Sequence, residues 1–154
     1  MFLSRRDFHL LASSSCAALS PNVWAQEPAS SAFPVDSFVP TRAITHGPQH
    51  HWFGYYDKRE FDPSGHLVLS NEVAFEGRPP TGDDAINVGY VDTSADDQWH
   101  PIGSSRAWGW QQGCMLQWVG DQGDRILWND RDGDSFVCRI YSRKDGSVRT
   151  LPRP

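Results

Sequence analysis

Within thirteen residues the chain places His46, His50, His51, Trp52, Tyr55, Tyr56, Asp57 and Lys58. A neutral imidazole nitrogen is the commonest protein ligand for transition metals, and a carboxylate such as that of Asp57 can complete a histidine set. A divalent metal ion held by His46 and His50 is therefore one expectation. Spacing limits it, because the neighbours His50 and His51 point to opposite sides of an extended strand and only one of them can share a site with His46. The competing reading has these polar groups hydrogen-bonding within a loop, and the sequence leaves both open.

A second cluster, Trp108-Gly109-Trp110-Gln111-Gln112, combines aromatic faces with amide edges. Sugar rings offer apolar C–H faces and directional hydroxyls, so such a surface suits carbohydrate or a similar small ligand. If the segment is extended, Trp108 and Trp110 project from one side. Together with Trp52, Tyr55 and Tyr56 they predict a substrate-binding funnel in which Gln111 and Gln112 supply the polar edge. The alternative is that these tryptophans fill gaps between packed sheets.

Other chemistry finds little support. Asp130-Arg131-Asp132-Gly133-Asp134 has its glycine too early for a calcium loop, and Tyr141 stands where the bidentate glutamate belongs, so the segment reads as a hairpin. Asp83-Asp84 reads as a solvated loop. Neither a nucleophile-elbow serine motif nor a phosphate loop nor a dinucleotide fingerprint is present.

The elements that must position these residues are strands. After Thr41 no stretch keeps apolar residues at helical spacing for three turns. Short apolar runs recur instead between turn signals, at 67–69, 86–91, 115–118, 125–128, 136–141 and 148–151. Asp132-Gly133 and Asp145-Gly146 sit between such runs, where a hairpin turn calls for glycine in a left-handed conformation. Residues 63–72 align with 121–130, each copy an apolar strand that ends in Asn and an acid. Strands repeated in this order predict an all-β fold of β-propeller type, with about two blades of four-stranded antiparallel sheet over residues 42–154. Closed propellers use roughly four to eight blades, so the expectation is an incomplete propeller, the N-terminal part of a longer one or a unit that associates with other copies. Cys114 is expected on an inner strand and Cys138 on the strand after next, about 9.5 Å apart, which is too far for a disulfide and predicts two buried thiols.

Upstream, Ser4-Arg5-Arg6-Asp7-Phe8 precedes a short, mild apolar stretch, Pro21, and small residues at Val23 and Ala25. The serines at 13 to 15 and Pro21 interrupt any membrane-spanning run. The segment resembles a twin-arginine export signal over residues 1–25, with His9 where the consensus has Leu, and it implies a periplasmic or secreted protein with no membrane association after cleavage. Residues 26–41, with Pro28, Pro34 and Pro40, read as a flexible linker. Residues 1–25 hold two of the 14 Lys and Arg and one of the 19 Asp and Glu, leaving 12 basic against 18 acidic residues. Such a domain lacks the basic patch of a nucleic-acid binder.

Phe61-Asp62-Pro63-Ser64-Gly65 followed by an apolar strand resembles the blade signature of TolB-like propellers. The segment His50-His51-Trp52-Phe53-Gly54-Tyr55-Tyr56-Asp57 is similar to the first-blade motif of exported bacterial propellers related to oligogalacturonide lyases. The resemblance covers roughly residues 46–151 and implies carbohydrate as substrate class, with lyase action on acidic oligosaccharides. That family's metal-binding and catalytic residues lie mainly in later blades and are not carried over. Lyase chemistry needs a base and a cation near the substrate carboxylate, and His51, Asp57 and Lys58 are the catalytic candidates here. Two alternatives stand beside this reading: a non-catalytic periplasmic binding or scaffold module, and a truncated product without independent activity.

Overall fold

Short apolar runs separated by glycine-bearing turns fold back as antiparallel hairpins, and the molecule is built from two such stacks. The computed structural model describes residues 39–154. The export signal and most of the linker read from the sequence lie outside the described residues; residues 39–41 have no regular structure. The first sheet joins β1 (His50–Trp52), β2 (Leu67–Val73), β3 (Ile86–Asp92) and β4 (Gln98–Ser105) in that order. The second joins β5 (Gln117–Trp118), β6 (Arg125–Asp132), β7 (Ser135–Ser142) and β8 (Val148–Leu151). Every pairing is antiparallel, and no helix occurs among the described residues. The protein is thus all-β, with two four-stranded antiparallel sheets.

Local chemistry explains the turns. Asp62 accepts hydrogen bonds from the backbone N–H groups of Leu67 (2.9 Å), His66 (3.1 Å) and Ser64 (3.3 Å) and from the Ser64 hydroxyl (2.7 Å), closing the turn into β2. Burial works against its ionisation, but these donors outweigh it and hold the carboxyl below its ordinary value. In the second sheet Asp132 pairs with Ser135 across a two-residue loop, and Gly133 takes a φ of 58° as such a loop requires.

Three sequence expectations need correction. The run 115–118 forms a strand only at Gln117–Trp118, because Met115 adopts a φ of 60° and breaks the ladder. Cys114 accordingly lies in a turn rather than on a strand, although its carbonyl still accepts the Asn129 N–H at 2.8 Å. Cys114 and Cys138 are both buried and both free, and burial pushes the Cys114 thiol up to about 12. β4 escaped notice because Gln98–Ser105 is polar and contains Pro101, a composition tolerated on the edge of a sheet.

The two sheets stack front to back. From the first come Leu69, Val73, Ile86 and Val88; from the second come Cys114, Leu116, Ile126 and Trp128, which together form one buried core. Hydrogen bonds cross the seam: Trp128 Nε1 donates to the Ser104 carbonyl (3.0 Å) and the Ser105 hydroxyl to the Asn129 carbonyl (2.7 Å). The Trp128 ring lies so close to Gly103 that a Cβ there would sit 2.7 Å from it. In the alignment of the two copies, Leu69 and Asn71 correspond to Leu127 and Asn129. Those two residues alternate with Ile126 and Trp128 along β6, so they face away from the seam. The second sheet therefore presents outward the same face that the first sheet has covered.

Candidate functional site: an aromatic cleft beside the first inner strand

β1, the loop between β2 and β3, and the turn before β5 converge at one end of the seam. Alternation along β1 directs His50 and Trp52 to one face and His51 to the other, as the adjacency of the histidines predicted. Trp52 packs 5.6 Å from Trp108 and 5.2 Å from Trp110, ring centroid to ring centroid, and the latter two meet edge to face at 5.2 Å. Phe75 adds contacts at 6.1 Å to Trp108 and 5.7 Å to Trp110. Aromatic pairs in this range contribute about 0.5–1.5 kcal/mol each beyond their buried area.

The segment carrying the two tryptophans is not extended, so strand alternation does not set the side they share. Gly109 and Gly113 bond each other reciprocally (3.1 and 2.8 Å), closing a tight turn, and it is this turn that brings both indoles to the same place. Gly113 has a φ of 58°, and a Cβ on it would lie 2.8 Å from the Asn71 amide nitrogen, so only glycine fits. Asn71 holds the arrangement from beneath. Its amide donates to the Trp52 and Phe53 carbonyls (3.2 and 2.6 Å), and its oxygen receives the Cys114 thiol at 3.4 Å.

The indole N–H groups fasten the β2–β3 loop: Trp108 Nε1 donates to the Asp84 carbonyl and Trp110 Nε1 to the Arg78 carbonyl, both at 2.8 Å. Between the loop and Trp110 opens a cleft of about 480 Å³, lined by Glu76, Gly77, Arg78, Pro79 and Trp110. The Arg78 guanidinium stacks on the Phe75 ring, 3.6 Å from its centroid, and forms a two-pronged pair with Asp84. Asp84 is thus a structural anchor rather than a solvated loop residue. A Glu76 oxygen lies 3.1 Å from His50 Nδ1.

The remaining candidates are distributed more widely. His51 lies on the opposite face of β1 from the aromatic cluster, edge-on to Trp99 at 5.0 Å and 3.4 Å from a Glu72 oxygen. Its imidazole is only 8% exposed, and burial lowers its pKa against the attraction of Glu72. Asp57 pairs with its neighbour Lys58 at 2.7 Å. No hydrogen bond or ion pair joins either to His51 among the described residues. Tyr55 and Tyr56 stack on each other at 4.2 Å, while Gln111 and Gln112 are exposed in the turn. His46 stands near Asp97, which is paired with Arg42, whereas His50 belongs to Glu76. No three His, Cys, Asp or Glu side chains converge among the described residues, so the donors present do not fit a divalent metal site.

Phe75, Glu76, Arg78 and Pro79 were missed as site residues because the sequence reads their segment as a variable loop. An aromatic residue two positions beyond β2, followed by Arg-Pro-Pro, was the available signal. Comparison with known protein families, with characterised proteins and with solved structures yields no match to this chain. The likeness to TolB-like propellers rests on the motif residues quoted for it.

Proposed function

We propose that the chain is an exported carbohydrate-binding module built on two blades of a β-propeller, with the aromatic cleft as its binding surface. The observation that carries this reading is the Trp110 indole walling a cleft of about 480 Å³ beside three further aromatic rings and the charged edges of Glu76 and Arg78. That volume lies in the range of small-ligand sites, roughly 300–1,000 Å³, and the mixture of aromatic face and polar rim matches what a sugar ring offers. Binding without turnover is preferred to lyase action because neither Asp57 nor Lys58 is hydrogen-bonded to His51 among the described residues and His51 is largely shielded.

The propeller reading draws on the front-to-back stacking of the two sheets, in which the first offers one face to the second and the second presents the matching face outward. A closed ring of about four or more blades would need further sheets against the outward face of the second sheet, on other copies of the chain or on additional polypeptide. Export to the periplasm or beyond rests on the Ser4-Arg5-Arg6-Asp7-Phe8 motif.

The test is a glycan panel probed with the labelled chain, followed by titration calorimetry on the best ligand. Trp110→Ala should weaken binding about tenfold or more, since loss of a stacking face removes upward of about 1.4 kcal/mol. Retention of no glycan, or equally tight binding by a Trp110→Ala chain with unchanged circular dichroism, would refute the proposal.

A further inference from the structure

The rim of the cleft carries an unbalanced charge. Arg78 is the cation among the lining residues, and its charge is balanced by Asp84. Its two terminal nitrogens lie 2.7 and 2.8 Å from the two oxygens of Asp84, one of them also donates to the Pro79 carbonyl (3.1 Å), and its plane covers Phe75. Asp84 is fixed in turn by the Thr81 N–H (2.7 Å) and hydroxyl (2.9 Å). Arg78 first, and Thr81 with it, hold the Asp84 carboxyl far below the usual carboxylate range. Asp84 therefore stays ionised and cancels the charge of Arg78.

Glu76 is different. Its side chain is 65% exposed, it lines the cleft, and its one ion-pair partner among the described residues is His50. That contact is an ion pair only with a protonated imidazole; beside a neutral one the carboxylate keeps its full negative charge. Asp83, next to the Arg78 partner in the same loop, is exposed and forms no ion pair among the described residues. The chain as a whole is acidic, with a formal charge of −5, and adds no compensating positive field.

We propose that the cleft selects a glycan bearing a free amine and rejects uronates, with the sugar ring on the Trp110 face and its ammonium against Glu76. This deepens the carbohydrate-binding reading and rests on it. A uronate carboxylate would meet Glu76 with no uncommitted cation beside it, whereas an ammonium gains both the carboxylate and the negative face of the indole. At a solvent-exposed rim, two opposite charges about 4 Å apart favour binding by roughly fivefold at low salt, and screening removes most of that gain.

The experiment titrates the full chain with three tetrasaccharides of matched length: a glucosamine tetramer, cellotetraose and tetragalacturonate. Each is measured with the unaltered chain and with Glu76→Gln, at low salt and again in about 0.5 M salt. The expected order is glucosamine tetramer ahead of cellotetraose by roughly fivefold, with tetragalacturonate weakest. Glu76→Gln should erase the advantage of the glucosamine tetramer over cellotetraose, and added salt should do the same. Tetragalacturonate binding as tightly as the glucosamine tetramer, or an amine preference indifferent to Glu76→Gln, overturns the selectivity while leaving carbohydrate binding intact. Binding of none of the three removes both.

Discussion

Nine steps of chain from Trp52 to Phe61 pass only three residues of β2, from Asn71 to Val68, along the inner edge of the first sheet. In the second sheet three steps from Cys114 to Gln117 pass two residues of β6, from Asn129 to Leu127. Both inner edges are therefore interrupted opposite the same asparagine position, but by very different amounts. A single extra residue, Met115, is absorbed as a bulge. The larger excursion leaves the ladder altogether and carries Tyr56 and Asp57 out to the surface, with Tyr55 and Lys58 half-buried beside them. Sheets of one plan thus divide the labour, the first supplying exposed polar groups and the second a tight turn whose indoles build the cleft wall.

The outward faces differ in the same sense. In the first sheet Leu69 is 1% exposed and Asn71 fully buried, because the second sheet covers them. Their counterparts Leu127 and Asn129 are only half-buried. The sharpest way to break this comparison is to truncate both leucines. Leu69→Ala should cost about 3 kcal/mol or more, as buried leucines do, and Leu127→Ala about 1 kcal/mol. Urea denaturation reads both, and equal costs would mean that the second sheet's outer face is covered in solution.

The asparagines provide the next comparison. Asn71→Ala removes donors from the Trp52 and Phe53 carbonyls and strands the Cys114 thiol, for an expected loss of about 2–3 kcal/mol. The Asn129 side chain makes no hydrogen bond within the described residues, and Asn129→Ala should cost about 0.5 kcal/mol. Similar losses in the two denaturation midpoints would show that the repeat is functionally symmetric, against the asymmetry seen here.

The smallest effect concerns pH. His51, on the first sheet alone, has a folded pKa below its ordinary value of 6.5, because burial outweighs Glu72. The unfolded chain then takes up the proton more readily, so the contribution of neutral His51 is complete above about pH 6.5 and declines as pH falls from there through the folded pKa. Asp62 behaves as a depressed carboxylate: its contribution is present above 3.8 and is lost as pH falls further, through its own folded pKa. Melting temperature against pH should show two separate declines, and His51→Gln should abolish the upper one. Persistence of that decline in the variant would assign it to another group.

Much of the strand inventory was legible because apolar runs bounded by Asp-Gly and Pro-Ser-Gly turns leave the backbone few alternatives. β4 was not, since Gln98–Ser105 is polar, contains Pro101 and buries only Ser105, leaving no apolar run to display. The cleft was half legible. Trp52, Trp108 and Trp110 were recognisable as an aromatic set by residue type, and they do pack together, but the partners Phe75, Glu76 and Arg78 lie more than twenty residues away in sequence from both Trp52 and Trp108. The constellation from His50 to Lys58 read as one cluster along the chain, yet the alternation of β1 and the departure of the chain after Trp52 separate its members in space.

By itself the sequence determined the all-β character, the pairing of sheets into two repeats, the hairpin turns and the acidic charge, since each follows from local backbone preference or from composition. Only the tertiary structure decided which face of each sheet is covered, which carboxylate neutralises Arg78, and that Glu76 stands at the cleft with His50 beside it. Those outcomes depend on contacts between residues distant in the chain, and packing at 3 to 5 Å selects partners that sequence proximity cannot reveal.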